Sequence, residues 1–189
     1  MRDPLALKNF RRFKVAIDTR PFLAEVAAME TLWLASTGRQ SEISVQRETN
    51  SIFLRAADRR ACPQQNINDV QECITTPYAA HCPDIMRFLG SFSRELRASL
   101  QRALIVRLQP NGRVHPHIDK GLYYKLRDRY HFVLMSPAGS RLSSGDETAI
   151  MQQGEVWWFH NKLMHEARND SWDWRIHVIF DLLPYSGRV

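Results

Sequence analysis

Phe13, Val15 and Ile17 alternate with Lys14, Ala16 and Asp18, a period of two that predicts a first strand. Thr19-Arg20-Pro21 then offers a cap and a first-turn proline, and Phe22, Leu23, Val26, Met29 and Leu32 supply the apolar side of a helix. Residues 35–50 are polar and read as loop, and Ser51–Arg55 reads as a short strand. Residues 58–82, with Pro63 and Pro77 inside and Pro83 beyond, carry few periodic apolar positions and read mostly as loop. From Pro83 to about Arg102, Ile85, Leu89, Phe92, Leu96 and Leu100 recur at helical spacing, so a helix is expected there with Pro83 and Asp84 at its N-terminal end.

After residue 103 the pattern changes. Ala103–Leu108, Tyr130–Ser136, Glu155–Phe159 and Arg175–Leu183 are short runs rich in Val, Ile, Phe and Trp. Turn signals part them: Pro110-Asn111-Gly112, Pro137-Ala138-Gly139, Ser144-Gly145-Asp146 and Gln153-Gly154. Such a series predicts a sandwich or barrel, and with helices first the class is α+β. The 189 residues make one domain, with a mixed support region over about 1–102 and the main core over about 103–184.

Composition adds limits. With 44% hydrophobic and 24% charged residues the chain has an ordinary globular balance. No apolar run approaches the roughly 18 residues a membrane helix needs, and Arg2, Lys8, Arg11, Arg12 and Lys14 interrupt any signal-peptide core. Cys62, Cys73 and Cys82 fit neither a zinc ribbon nor a redox pair, so three reduced thiols and a cytoplasmic location are expected. The net charge of +6 is concentrated in residues 1–20 and 101–141. No nucleic-acid motif accompanies it, so nucleic acid is not an expected partner.

The chemistry gathers in the β-rich half. His115-Pro116-His117-Ile118-Asp119 places an imidazole and a carboxylate two residues apart, hence on one side of a strand. His165 from another strand completes two histidines and a carboxylate, a set that suits a non-haem iron and also zinc. Arg175 opens a strongly apolar strand, where a cation needs an anionic partner or a hydrogen-bond network. A dicarboxylate co-substrate would supply one in bidentate geometry. His115, Asn161 and Asn169 are candidates to orient ligands. His177 shares a face with Arg175 and either lines a pocket or satisfies a core hydrogen bond. Trp157, Trp158 and Phe159 are expected to pack a sheet rather than form a substrate platform. Residues 120–128 are expected to form a solvated loop, with a substrate lid as the alternative. Arg55 suits a substrate carboxylate and a surface strand end equally well.

These segments, in this order, resemble the aspartyl/asparaginyl β-hydroxylase branch of the Fe(II)/2-oxoglutarate-dependent dioxygenases, which includes proline hydroxylases. The resemblance runs from about Thr49 to Pro184. It is carried by Thr49–Arg55, Pro110–Asp119, Arg129-Tyr130-His131, Gly154–Phe159, His165-Glu166 and Asn169–Asp181. It implies a double-stranded β-helix, or cupin-like jelly roll, with flanking helices. It also implies Fe(II), 2-oxoglutarate and O2, with release of succinate and CO2. His117, Asp119 and His165 match the family's metal triad. Arg175 matches the residue that pairs with the distal carboxylate of 2-oxoglutarate, and Arg129 and His131 match a basic pair near its other end. Val106 stands where some relatives carry a small hydroxyl residue. The expected substrate is an Asp, Asn or Pro residue in a peptide or protein, or a free amino acid. The alternatives are a metal-binding cupin-like protein without oxygenase chemistry, and a basic binding module without catalysis.

Overall fold

The computed structural model describes residues 7–34, 47–58, 60 and 66–185. Cys62, Pro63 and most of the expected 35–50 loop lie outside them. The strands, in chain order, are β1 (Phe10–Lys14), β2 (Thr49–Ala57), β3 (Cys73–Thr75), β4 (Ala98–Leu108), β5 (Arg113–His117), β6 (Asp128–Met135), β7 (Ser140–Ser144), β8 (Glu147–Ala149), β9 (Val156–Phe159), β10 (His165–Asn169) and β11 (Arg175–Pro184). The α-helices are α1 (Arg20–Ala28), α2 (Pro83–Glu95) and the short α3 (Leu122–Lys125).

Seven strands form one antiparallel sheet in the order β1-β9-β6-β11-β4-β2-β3, and four form a second in the order β5-β10-β7-β8. Strand alternation sorts the larger sheet's side chains to its two faces. Ile105, Tyr130, Phe132, Val178 and Phe180 face α1 and α2, where they meet Phe22, Val26, Ile85, Leu89 and Phe92. Burying a side chain of this kind stabilises by about 1.5–3 kcal/mol, so this layer anchors the fold. The opposite face carries Leu108 and Val133, which pack with Leu142, Ala149 and Ala167 of the smaller sheet. The two sheets therefore lie face to face, and their shared interior also holds Arg129, His131, Arg175 and His177.

Several expectations change at this level. The first strand ends at Lys14, and Ala16 adopts a positive φ of 56°. Thr19 precedes α1 but does not cap it; its hydroxyl accepts from Gln153 Nε2 at 2.6 Å. The helix from Pro83 stops at Glu95 rather than near Arg102. Arg97 has a positive φ of 50°, and Ala98 begins pairing with Pro184 of β11. Leu100 keeps helical spacing by coincidence and belongs to β4, opposite Leu182.

The segment 120–128, expected as a solvated loop, is anchored in the fold through Tyr123 and Arg127, while Lys120, Leu122, Lys125 and Leu126 remain exposed. Tyr123 is fully buried, and the guanidinium groups of Arg102 and Arg127 stand 3.7 and 4.2 Å from its ring centroid. Both arginines donate to carbonyl oxygens of the segment 67–71. Arg107 lies between Trp33 and Trp174 and pairs with Glu30. Much of the basic block at 101–141 is thus internal framework.

Candidate functional site

β5 and β10 are neighbours, and their register sets His117 directly opposite His165. The two rings stand 4.2 Å apart between centroids. Pro116 lies on the edge strand β5, where a residue without an N–H is tolerated, and the pairing shifts register beside it. Beyond β5 the chain carries Asp119 back towards the pair, so that ligand atoms of His117, Asp119 and His165 all lie within 4.8 Å of one another. The loop then turns at Gly121, whose φ of 116° and approach to Asn68 leave no room for a Cβ.

The donor set is prepared for a cation. His117 Nδ1 lies 2.8 Å from the carbonyl of His115, and His165 Nδ1 lies 2.9 Å from that of Leu163. A carbonyl only accepts, so both rings carry their proton on Nδ1 and present the Nε2 lone pair. Asp119 Oδ2 accepts from Arg129 Nη1 at 2.8 Å and from Asn161 Nδ2 at 2.9 Å. Its other oxygen, Oδ1, is 4.0 Å from His117 Nε2. Burial would raise the Asp119 carboxyl, but Arg129, with His165, Asn161 and His117, outweighs it and holds the group below the usual carboxylate range. Burial pushes His165 down to about 4, against the pull of Asp119. Two imidazoles and one carboxylate, each oriented by a further hydrogen bond, fit a divalent metal with open positions.

Of the three candidate orienting residues, Asn161 reaches the triad through its side chain. His115 contributes its backbone carbonyl. Asn169 works elsewhere: its amide donates to the carbonyls of Leu108, Gln109 and Asp173, tying the end of β4 to the segment before β11. Arg55 holds β2 to β3 through Thr75 and the Cys73 carbonyl.

Inside the cleft, Arg129 is gripped from two sides. Besides Asp119 it donates to Asp181 through Nε at 2.8 Å and Nη2 at 3.0 Å. Burial opposes its charge, yet Asp119 and Asp181 raise it well above the ordinary arginine value. The sequence reading missed Asp181 as a partner; an acidic residue on an apolar core strand was the available signal. Arg175 differs. It is buried, no carboxylate lies within ion-pair distance among the described residues, and burial pushes its guanidinium down to about 10. Its Nη2 meets His177 Nδ1 at 3.3 Å, and that nitrogen lies 3.2 Å from His131 Nδ1. Burial, followed by the charge of Arg175, drives both histidines well below their ordinary value, so both are neutral. Thr49, Val106, Val114 and Ile179 complete the walls of a cleft of about 590 Å³, counting its open mouth.

The model of the aspartyl/asparaginyl β-hydroxylase family matches residues 44–184, which include the triad and Arg175. This chain belongs to that family. No curated protein matches the sequence. Among solved structures, the β-hydroxylase-family chain is similar to a 2OG-Fe(II) oxygenase family oxidoreductase from Burkholderia pseudomallei, at 12% identity and a TM-score of 0.54, over 93% of this chain and 95% of that one. It is also similar to a prolyl-4-hydroxylase from Pseudomonas putida, at 10% identity and a TM-score of 0.55, over 96% of each chain. A third is the viral collagen prolyl hydroxylase of Paramecium Bursaria Chlorella virus-1, at 9% identity and a TM-score of 0.52, over 94% and 97%. These likenesses are of fold. No helix among the described residues is long and apolar enough to cross a membrane.

Proposed function

We propose that this β-hydroxylase-family chain is an Fe(II)- and 2-oxoglutarate-dependent dioxygenase on a double-stranded β-helix. It hydroxylates an unactivated C–H of an amino-acid-type substrate. The observation that carries the reading is Arg175, a buried guanidinium without a carboxylate partner among the described residues, in the same cleft as the His117–Asp119–His165 cluster. A buried cation of this kind calls for an anion, and the distal carboxylate of 2-oxoglutarate supplies one.

In this reading His117, Asp119 and His165 hold the iron. Bound Fe(II) supplies the oxidative chemistry: 2-oxoglutarate and O2 become succinate and CO2, and one oxygen atom enters the substrate C–H bond. Asn161 and Arg129 orient Asp119 so that Oδ1 is the ligating oxygen. Arg129 spends three of its five N–H groups on the two carboxylates and lines the cleft with the others, so with His131 it also serves the end of the co-substrate away from Arg175. His131 closes the cleft wall and faces the co-substrate. The apolar walls formed by Val106, Val114, Leu142 and Phe159 exclude water around it. The prolyl hydroxylases that share the fold, and the family's own name, favour an Asp, Asn or Pro residue in a peptide, or a free amino acid, as substrate.

The test is turnover. Purified protein with Fe(II), ascorbate and O2 is expected to convert 2-oxoglutarate to succinate and to add one oxygen to a member of an amino-acid and peptide panel, read by mass spectrometry. Absence of succinate across the panel, together with absence of Fe(II) binding, would overturn the reading.

A further inference from the structure

The contacts around His177 fix where its proton sits, and that in turn exposes a donor that no described residue accepts. Arginine only donates, so the 3.3 Å contact from Arg175 Nη2 requires a lone pair on His177 Nδ1. A neutral His177 then carries its hydrogen on Nε2. The same lone pair lies 3.2 Å from His131 Nδ1, so His131 donates from Nδ1 and keeps Nε2 as an acceptor. One chain of contacts sets both rings.

His177 Nε2 is buried and has no hydrogen-bond partner among the described residues. The residue is 1% exposed and belongs to the cleft wall beside Arg175. A buried N–H without an acceptor is costly, and an adjacent guanidinium without a carboxylate is costly for the same reason. One carboxylate group in the cleft satisfies both, with one oxygen on Arg175 and the other on His177.

We propose that His177 is a specificity-determining residue that donates Nε2–H to the carboxylate held by Arg175, and so selects a dicarboxylate over a monocarboxylate 2-oxo acid. The inference rests on the co-substrate role given to the cleft above. It adds a second donor, a defined tautomer and a basis for discrimination.

The experiment is calorimetric titration of the anaerobic Fe(II) protein with 2-oxoglutarate and with 2-oxobutyrate, which lacks the distal carboxylate. It compares wild type, His177→Leu and His177→Gln. Glutamine places an amide N–H near the position of Nε2; leucine removes the donor. Losing a hydrogen bond to a charged acceptor corresponds to about ten- to hundredfold in affinity. His177→Leu is expected to weaken 2-oxoglutarate by that factor and to leave 2-oxobutyrate within about twofold. His177→Gln is expected to recover most of the loss. Unchanged 2-oxoglutarate affinity in His177→Leu, or equal weakening of both ligands, would overturn the assignment. If wild type binds neither acid, the co-substrate reading falls and this inference with it; wild-type binding with an unaffected variant removes the inference alone. Nitrogen-15 histidine spectra of wild type give a measurement that needs no variant. His177 protonated on Nε2, with that resonance moving on addition of 2-oxoglutarate and not of 2-oxobutyrate, supports the proposal. Protonation on Nδ1 overturns it.

Discussion

Arg129 Nη1 stands 2.8 Å from Asp119 Oδ2, and this one contact joins the loop that carries Asp119 to the centre of the larger sheet. The arginine is itself fixed from behind by Asp181 of β11, across the β6–β11 pairing. A three-member chain of buried charge therefore sets which Asp119 oxygen faces the two histidines.

Replacing Arg129 with lysine keeps a charge but loses the fork that spans both carboxylates. Metal affinity is expected to fall about ten- to hundredfold, the usual effect of removing a group that orients a ligand. Asn161→Ala is expected to act in the same direction by removing the second donor to Asp119 Oδ2. Anaerobic titration with Fe(II) or Co(II) measures both. Wild-type affinity in both variants would show that Asp119 needs no external positioning.

Arg175 is expected to behave in the opposite way. It has no carboxylate to lose among the described residues, and burial already disfavours its charge. Arg175→Leu is therefore expected to leave the thermal midpoint of the unliganded protein unchanged or raised. The same variant is expected to lose at least about a hundredfold in 2-oxoglutarate affinity while retaining the metal. A variant that loses metal and co-substrate together, or unfolds, would assign Arg175 to the framework.

The larger sheet was legible because its helix-facing residues, such as Ile105, Phe132 and Val178, form dense β-branched and aromatic runs. The smaller sheet was not. Arg113–His117, Ser140–Ser144, Glu147–Ala149 and His165–Asn169 are mostly polar, since one side meets solvent and the other carries His117 and His165. Val114, Leu142, Ala149 and Ala167 were too few to show a period. The triad was readable from local spacing plus one distant histidine. The pairing of Arg129 with Asp181 was not, because it spans 52 positions and follows from strand order alone.

Asn169, expected to orient ligands, serves the framework instead. Its amide donates to three backbone carbonyls, and its Oδ1 accepts from Ser140 and Ser171. Asn169→Ala would remove all of these contacts from one buried junction, so a loss of about 2–4 kcal/mol in unfolding free energy is expected. Metal affinity in the folded variant should be close to wild type. Chemical denaturation and metal titration on one preparation separate these effects; a stable variant with weakened metal binding would restore the orienting role.

The buried histidines make metal-free protein acid-sensitive in a defined window. His131 and His177 are held well below the ordinary value of 6.5, and His165 is pushed down to about 4. Their unfolded forms take up protons near 6.5 while the folded forms do not. The unfolded state therefore binds more protons, and stability rises with pH. The contribution is fully present above about 6.5 and is lost as pH falls towards the depressed folded values. Each histidine adds at most about 1.4 kcal/mol per pH unit in that interval. Asp119, held below 3.8, gives up its own contribution only when pH falls below that value. Urea unfolding in the presence of a chelator should thus give a midpoint that is flat above pH 7 and falls between about 6.5 and 4.5. His177→Gln, which cannot take up the proton, should reduce that slope by about one proton's worth. A midpoint independent of pH across the interval would mean that these histidines take up protons in the folded protein as readily as in the unfolded chain.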